Sequence, residues 1–446
     1  MRYLYAIAVL FVVAGCSMAS KEPSWVTQRP ADPAYYNAVV RFTKKVPNYA
    51  EMARDNALRE ISTQISVQID SDIYLKETED NGIPSAELIS QIRSSSRNNL
   101  NDIQLYGSYE NDKDYWAYYR LSKSSYKAWR IEQRDLAVKQ ALNLLTQFDA
   151  ATIDAAVGIT ALLKALELTV DFTDLDLSTA YNGKEVNLYN ELFNRLHRLP
   201  ECLKPQIEQK NLAVTAKLRR DHFIPSNIAY EKDANQYPCA SFPLVFSFVR
   251  GGGDLVKNVQ TDNNGNTELQ IKRITLFTSP QQISLTIDKE YWLQSLENPV
   301  VKRMFSMLQF PVATINLQVS RPKAYIDYSF NNSSGTTYQD LLMNKLQELD
   351  MEVVSDISAA DFTLRVIINS YEGDYVSTLK LYSSQADATV ELLDTKQKKS
   401  IYNTSVSGIK STGSTRDIAR RNSEFSGVSE ICNMVLFTIV EQYIMN

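Results

Sequence analysis

A chain of 446 residues, 44% hydrophobic and 22% charged, is long enough for about three domains with sizeable cores and too apolar to remain disordered. Its formal charge of -5, from 47 basic and 52 acidic residues with no block of like charges, leaves no electrostatic footprint for nucleic acid. Four cysteines exclude a disulfide scaffold, and 14 glycines with 14 prolines exclude a linker-rich chain.

At the start, Arg2 precedes an apolar run over residues 4–13 that is too short to reside in a bilayer, and Val13-Ala14-Gly15-Cys16 follows at once. That is the pattern of a lipobox. A small residue stands before the cut and a cysteine after it, because the cysteine sulfur must carry a diacylglycerol before cleavage. Residues 1–16 are therefore expected to be a lipoprotein signal peptide, with Cys16 as the lipidated first residue of the mature chain. Loss of Arg2 takes the charge from -5 to -6. Acyl chains contribute about 0.8 kcal/mol per buried methylene, so three together hold firmly to a membrane. Residues 17–22 read as a short polar tether, and Ser17, which is not aspartate, favours the outer membrane under the usual sorting rule.

Residues 23–126 read as α+β. Residues 35–42 alternate as a strand, and Ala50, Ala53, Ala57, Ile61 and Ile65 recur at helical spacing from about Asn48, with Val67 and Ile69 continuing the apolar face. A second amphipathic helix is expected over 85–100. Residues 103–109 and 115–121 then form a hairpin about Asn111-Asp112-Lys113-Asp114. The aromatic group Tyr115, Trp116, Tyr118 and Tyr119 admits two readings, a sugar-stacking platform or a sheet packed on both faces, and strand propensity favours the second.

Pro23-Ser24-Trp25, the pair Tyr35-Tyr36, the alanine-spaced helix running into Ile65-Ser66-Val67, and Tyr115-Trp116 running into Arg120-Leu121-Ser122-Lys123 carry a resemblance. The segment resembles the twenty-kilodalton outer-membrane lipoprotein family and is similar to the amino-terminal domain of the flagellar-ring assembly protein T. Where that family tends to carry Gly-Val-Gly, this chain has Asn37-Ala38-Val39-Val40. The resemblance implies an outer-membrane lipoprotein.

Residues 127–210 read as a helical region. One helix is amphipathic through Trp129, Leu136, Leu142 and Leu145, and a second through Ile153, Val157, Leu162 and Leu166; a break near Gln147-Phe148-Asp149 and a further helix over 186–199 complete it.

Residues 211–320 change to short alternating runs separated by turns, as in an immunoglobulin-like β-sandwich. The stretch 259–271 is similar to carboxypeptidase-regulatory-like modules. Asp262, Asn264 and Asn266 fail the EF-hand pattern, since Gly265 falls at the fourth position and Arg273 stands where the closing glutamate belongs. Gly251-Gly252-Gly253 lacks the Lys-Ser or Lys-Thr of a phosphate loop and reads as a turn. Cys202 and Cys239 flank part of this region and could bridge in an oxidising compartment, whereas Cys432 in the apolar run 431–440 reads as a buried thiol.

Residues 321–446 return to α/β: strands over 324–330 and 362–368, a helix capped by Thr337 with Leu341, Leu342, Leu346 and Leu349, a hairpin of 386–393 with 401–406, and a final helix over 417–444. In order, and in Ala360-Asp361-Phe362-Thr363-Leu364, this segment is similar to periplasmic domains of the curli-secretion channel lipoprotein and of lipoprotein activators of penicillin-binding proteins.

His197 and His222 stand without HExxH, CxxC, GxSxG or Walker spacing near them. The carboxylate pairs Asp70/Asp72 and Glu77/Asp80 are nominal glycosidase candidates, but in so acidic a chain a solvated surface accounts for them. The expectation is a multi-domain α+β protein without catalytic residues, cofactor or metal. It would be a non-enzymatic structural or adaptor lipoprotein of the outer membrane, on its periplasmic side or at the cell surface, working with other envelope proteins in assembly, secretion or motility. The alternative is a regulator of a cell-wall synthase or a surface glycan binder.

Overall fold

The structure, a computed structural model, describes residues 22–80, 100, 103–216, 221–330 and 338–439, without the side chains of 70–80, 435, 437 and 439. It contains several sheets and both long and short helices, as expected of a multi-domain α+β protein. The chain divides into two compact units: Met1–Thr146 with Ala161–Leu196 and Leu296–Phe305, and Gln147–Thr160 with His197–Ser295 and Ser306–Asn446.

The first unit opens with a short helix α1 (Ser24–Thr27), then β1 (Tyr35–Thr43), α2 (Tyr49–Asp80), β2 (Gln104–Glu110) and β3 (Asp114–Ser122). The strands form an antiparallel sheet in the order β1-β3-β2. Alternation fixes what each face carries: Tyr36, Ala38 and Val40 join Ala117, Tyr119 and Leu121 on one side, where Ala53, Ala57, Ile61, Ile65 and Ile69 of α2 pack against them. The small alanines let the first turns lie close to the strands. Ala50 and Val67, expected on this face, are exposed. The helix expected over 85–100 lies outside the described residues, Leu100 excepted, and Leu100 packs against this core.

Two long helices follow, α3 (Lys123–Ala150) and α4 (Ala155–Thr169). Their break falls at residues 151–154 and not at Gln147-Phe148-Asp149, because Phe148 still packs inside and the helix hydrogen bond from Ala151 N to Gln147 O persists. The buried stripe runs through Ala137, Ala141 and Leu145, then Ala155, Ala156, Ile159, Leu162 and Leu166, which leaves Leu136, Ile153 and Val157 exposed. Arg130 is clamped in this unit: its Nη1 and Nη2 donate to the Asp174 carboxylate at 2.6 and 3.0 Å, and Nη2 also donates to Asp171 O. A small hairpin, β4 (Ser178–Tyr181) and β5 (Lys184–Asn187), turns on Asn182 and Gly183, both at positive φ, as its two-residue loop requires. The helix expected from Val186 therefore starts later, as α5 (Leu188–Cys202).

In the second unit, the expected sandwich region is built from β6 (Leu203–Ile207), β7 (Asn211–Thr215), β8 (His222–Lys232), β9 (Asn235–Pro238), β10 (Pro243–Arg250), β11 (Gly253–Leu255), β12 (Asn258–Gln260), β13 (Asn266–Ile274), β14 (Gln281–Ile287) and β15 (Ala313–Ser320). One sheet runs β12-β10-β14-β15-β7, with β15 and β7 parallel; the other runs β11-β13-β8-β6, with β9 also paired to β8. Strand β6 meets β14 and β15 of the first sheet. Alternate residues are buried, among them Ile224, Ile228, Leu269 and Ile271 in one sheet and Phe246, Ile283, Leu285 and Leu317 in the other. The glycine triplet is a turn: Gly251 has φ +110° and lies so close to Gln281 that a Cβ would overlap its side chain, while Gln281 Oε1 accepts from Gly252 N at 3.1 Å. Two helices interrupt the strands in sequence, α6 (Glu290–Leu293), whose buried Trp292 donates to Thr160 Oγ1 at 3.1 Å, and α7 (Pro299–Met307), most of which belongs to the first unit.

The carboxyl-terminal part holds β16 (Lys323–Phe330), α8 (Gln339–Glu348), β17 (Glu352–Val353), β18 (Phe362–Val376), β19 (Leu381–Asp394), β20 (Lys399–Gly413) and α9 (Arg416–Glu430), then a π-helical turn Ile431–Val435 and α10 (Leu436–Ile439). The sheet order is β17-β16-β18-β19-β20, with β16 parallel to both neighbours and the rest antiparallel. Leu342 and Leu346 of α8, Val428 of α9, and Ile431, Cys432 and Leu436 share one core with Leu364, Val366, Ile368, Ala388, Val390 and Leu392. Thr415 caps α9, its Oγ1 accepting from Ile418 N at 3.2 Å. Thr337 and the last residues of the expected final helix lie outside the described residues.

Candidate functional site

Two sheet faces not covered by the helices carry the groups that could meet a ligand or partner. On the amino-terminal sheet, Tyr35, Asn37, Val39 and Arg41 of β1 share the outer face with Trp116, Tyr118 and Arg120 of β3, because the register pairs Arg41 with Trp116 and Asn37 with Arg120. A bulge between Leu105 and Gly107 leaves Tyr106 as the extra residue of β2, and its ring lies 4.8 Å from that of Tyr118. Gly107 has no side chain, and Trp25 of α1 fills the place, 3.4 Å from where a Cβ would stand and 5.8 Å from the Tyr118 ring. Tyr118 is only 5% exposed, and its hydroxyl donates to Asn37 Oδ1 at 2.8 Å. Desolvation raises the Tyr118 hydroxyl pKa above its ordinary value, against the opposing charge of Arg120.

Cations complete this layer. The Arg120 guanidinium lies 4.5 Å from the Tyr35 ring and 4.4 Å from the Tyr106 ring, and its buried Nε has no hydrogen-bond partner among the described residues. Arg41 lies 5.2 Å over Trp116, which also packs on Tyr109, and is paired with Asp114. The sheet is thus packed on both faces, Tyr119 under α2 and Tyr118 under Trp25, and the aromatic group is not a bare platform. Arg41 escaped the reading of the sequence and Arg120 entered it only within the family resemblance; the signal was there, since Arg120 shares the alternation of Trp116 and Tyr118, and Arg41 that of Tyr35 and Asn37.

Among the described residues the carboxyl-terminal sheet has helices on one face. On its open face Arg365 of β18 bridges three strands, Nε donating to Asp327 Oδ2 at 2.8 Å and Nη1 to Glu391 Oε2 at 3.0 Å. Beside it Thr389 and Ser405 hydroxyls lie 3.0 Å apart, and Asp387 Oδ1 accepts from Gly408 N at 2.8 Å. Asp387, Thr389 and Glu391 share this face, as their alternation with Ala388, Val390 and Leu392 requires. Under the helices sits a buried polar group: Ser370 Oγ donates to Glu424 Oε1 at 2.8 Å, Ser384 and Ser423 hydroxyls pair at 2.9 Å, and the Tyr328 hydroxyl has no hydrogen-bond partner among the described residues. Desolvation, then Tyr338 and Glu424, push the Tyr328 hydroxyl well above its ordinary range.

The expected bridge between Cys202 and Cys239 is absent; both are free thiols. Strand β6 pairs with one edge of β8 and β9 with the other, so Cys202 and Cys239 are separated by β8 itself. Two strand spacings amount to about 10 Å, whereas a disulfide needs Cα atoms within ~7 Å. Burial pushes the Cys239 thiol up to about 12 and the Cys432 thiol up to about 11. In the sandwich a groove of about 420 Å³ is lined by Glu208, Asp262 and Glu268 among others. Asp262 Oδ1 already accepts from Asn264 N and Asn266 N, both at 2.8 Å, so this carboxylate oxygen shapes the turn. Among the described residues no group of three His, Cys, Asp or Glu side chains could hold a metal ion. His197 lies on α5 and His222 opens β8. Cys16 lies outside the described residues, as do the side chains of Asp70, Asp72, Glu77 and Asp80.

No family model and no curated protein matches the chain. Among solved structures, a neuraminyllactose-binding hemagglutinin homologue from Helicobacter pylori is 15% identical over 27% of this chain and 82% of its own, with a TM-score of 0.21. A lipoprotein from Neisseria meningitidis is 14% identical over 27% of this chain and 96% of its own, at 0.18. A secreted protein from Helicobacter pylori is 9% identical over 90% of this chain and 99% of its own, at 0.21. Bacterial lipoproteins are thus among the structural neighbours of about a quarter of the chain. Among the described residues no helix is long and apolar enough to cross a membrane.

Proposed function

We propose that the chain is a lipid-anchored, non-enzymatic adaptor of the outer membrane that holds other envelope proteins for assembly, secretion or motility. The observation that carries this reading is the lipobox Val13-Ala14-Gly15-Cys16, which supplies an anchor to a body folded as several modules. The open face around Asp387, Thr389 and Glu391 supports the adaptor role, since its charged and hydroxyl groups stand on a rigid sheet, half-exposed. A partner would displace water there without unfolding anything.

A second reading, a glycan-binding lipoprotein or a regulator of a cell-wall synthase, is favoured by the Trp116 and Tyr109 rings with Arg41 above them. Crosslinking and mass spectrometry in intact cells separates the two. Envelope-machine proteins joined to the carboxyl-terminal sheet support the adaptor; a peptidoglycan synthase or glycan joined near Trp116 supports the second. Replacing Cys16→Ala should leave a precursor that keeps residues 1–16 and is lost from the outer-membrane fraction. Processed protein still in that fraction would sink the lipid anchor.

A further inference from the structure

We infer that the outer aromatic face of the amino-terminal sheet is a membrane-contact surface, which seats the domain on the lipid headgroups beside the acylated Cys16. The inference rests on the lipid-anchor reading for its geometry. Only Ser17 to Pro23 separate Cys16 from α1. Eight Cα-to-Cα steps at ~3.5 Å reach at most about 28 Å, so the domain cannot leave the bilayer surface. The chain also enters the domain on this particular face, because Trp25 of α1 lies against Gly107 and Tyr118 and not on the α2 side.

The chemistry of the face fits a headgroup layer. Tyr106, the extra residue at the bulge of edge strand β2, packs one side of its ring on Tyr118 and Arg120 and is still 54% exposed. Tyrosine and tryptophan bodies sit at the level of headgroups, where one end of the ring is apolar and the other wet. Arg41, with its side chain 63% exposed over Trp116, offers a guanidinium to lipid phosphate. Its acidic neighbour Asp114 is already paired with it. The opposite face of the sheet is occupied by α2.

The test uses the mature chain from Ser17 to Asn446 without acyl groups, so that it does not depend on whether Cys16 is modified. Sedimentation with vesicles of phosphatidylethanolamine and phosphatidylglycerol should bring down a measurable fraction, and the exposed-site variant Tyr106→Ser should reduce partitioning at least fivefold. Arg41→Glu should weaken it further at low salt. Val249→Ser, at a position 61% exposed on β10, should leave it unchanged. Near-ultraviolet circular dichroism of each variant, matching the parent, establishes that the loss is one of surface and not of fold. No vesicle binding by the parent, or equal binding by Tyr106→Ser, overturns the inference. So does capture of isolated peptidoglycan sacculi through the same residues in place of vesicles, which would assign the face to glycan. Mass analysis of Cys16 in cells tests the anchor separately.

Discussion

Strands β3 and β19 obey the same alternation, yet they make two different kinds of sheet. In each, every second residue is buried beneath helices: Ala117, Tyr119 and Leu121 in one, Ala388, Val390 and Leu392 in the other. The difference lies in the remaining half. Trp116, Tyr118 and Arg120 bring enough ring area to build a second packed layer with Trp25 and Tyr106, whereas Asp387, Thr389 and Glu391 stay hydrated and are organised by Arg365 and by hydroxyl pairs. Rings exclude water and gain from doing so; carboxylates lose solvation and remain at the surface. The first face is therefore expected to matter for stability and for contact with an apolar or interfacial ligand, the second for recognition of proteins.

The sharpest break of that comparison is functional. Reversing charge at Asp387→Lys and Glu391→Lys should cut partner crosslinks in cells at least tenfold, while Trp116→Ala leaves them intact. The opposite pattern would exchange the roles of the two faces. Next in size is the stability of the aromatic layer. Tyr118→Ala removes a buried ring from beneath Trp25 and Tyr106 and should cost about 3–4 kcal/mol in denaturant unfolding, while Tyr118→Phe, losing only the hydrogen bond to Asn37, should cost about 1 kcal/mol. If the alanine variant loses less than the phenylalanine one, the outer layer is not packed as described.

Alkali should act on both regions alike, and so sharpens the contrast by failing to separate them. The Tyr126 hydroxyl is pushed up to about 12, mainly by burial, and Tyr328 in the other region is raised for the same reason. Since the unfolded tyrosine releases its proton near pH 10, the native state binds more protons above that point, and stability falls as pH rises from 10 towards 12. Tyr126 alone should account for a loss on the order of 2 kcal/mol, read from denaturant midpoints at each pH. A midpoint that is flat over that window would contradict the burial of these hydroxyls.

What the sequence revealed and what it hid divides along the same physical line. Period-two patterning placed β1, β3 and β19 and told the polar face of β19 from its apolar one, because alternation is a local property. Residues that meet only across the fold stayed hidden: Arg130 and Asp174, or Glu167, whose Oε1 accepts from Glu297 N and Asn298 N. Cys202 and Cys239 misled for a related reason, since their spacing cannot tell which edge of β8 each will reach. Around α3 and α4 the larger apolar residues Leu136, Val157 and, in the break between them, Ile153 drew attention, while alanines are prominent among the buried residues of the two helices. Small residues give weak hydrophobic signals even where close packing needs them. Of the candidate site, the aromatic positions and the polar half of β19 were legible, but the cations and the Trp25 cover were not.

The smallest expected effect concerns Arg365. Its pairs with Asp327 and Glu391 are well formed, but all three side chains are partly exposed, the arginine at 43%, so water screens the attraction and the side-chain entropy of three long groups opposes it. Exposed pairs of this kind contribute about 0.2–1 kcal/mol, and Arg365→Ala should cost no more than that in unfolding free energy at low salt, with the difference shrinking as ionic strength rises past ~0.15 M, where the screening length is ~8 Å. Tyr118→Ala, by contrast, should be nearly indifferent to salt. A large, salt-insensitive loss for Arg365→Ala would mean that this face is buried by something in solution. The ion-pair ladder would then be an occupied interface even in the isolated protein, and its partner a second copy of the chain.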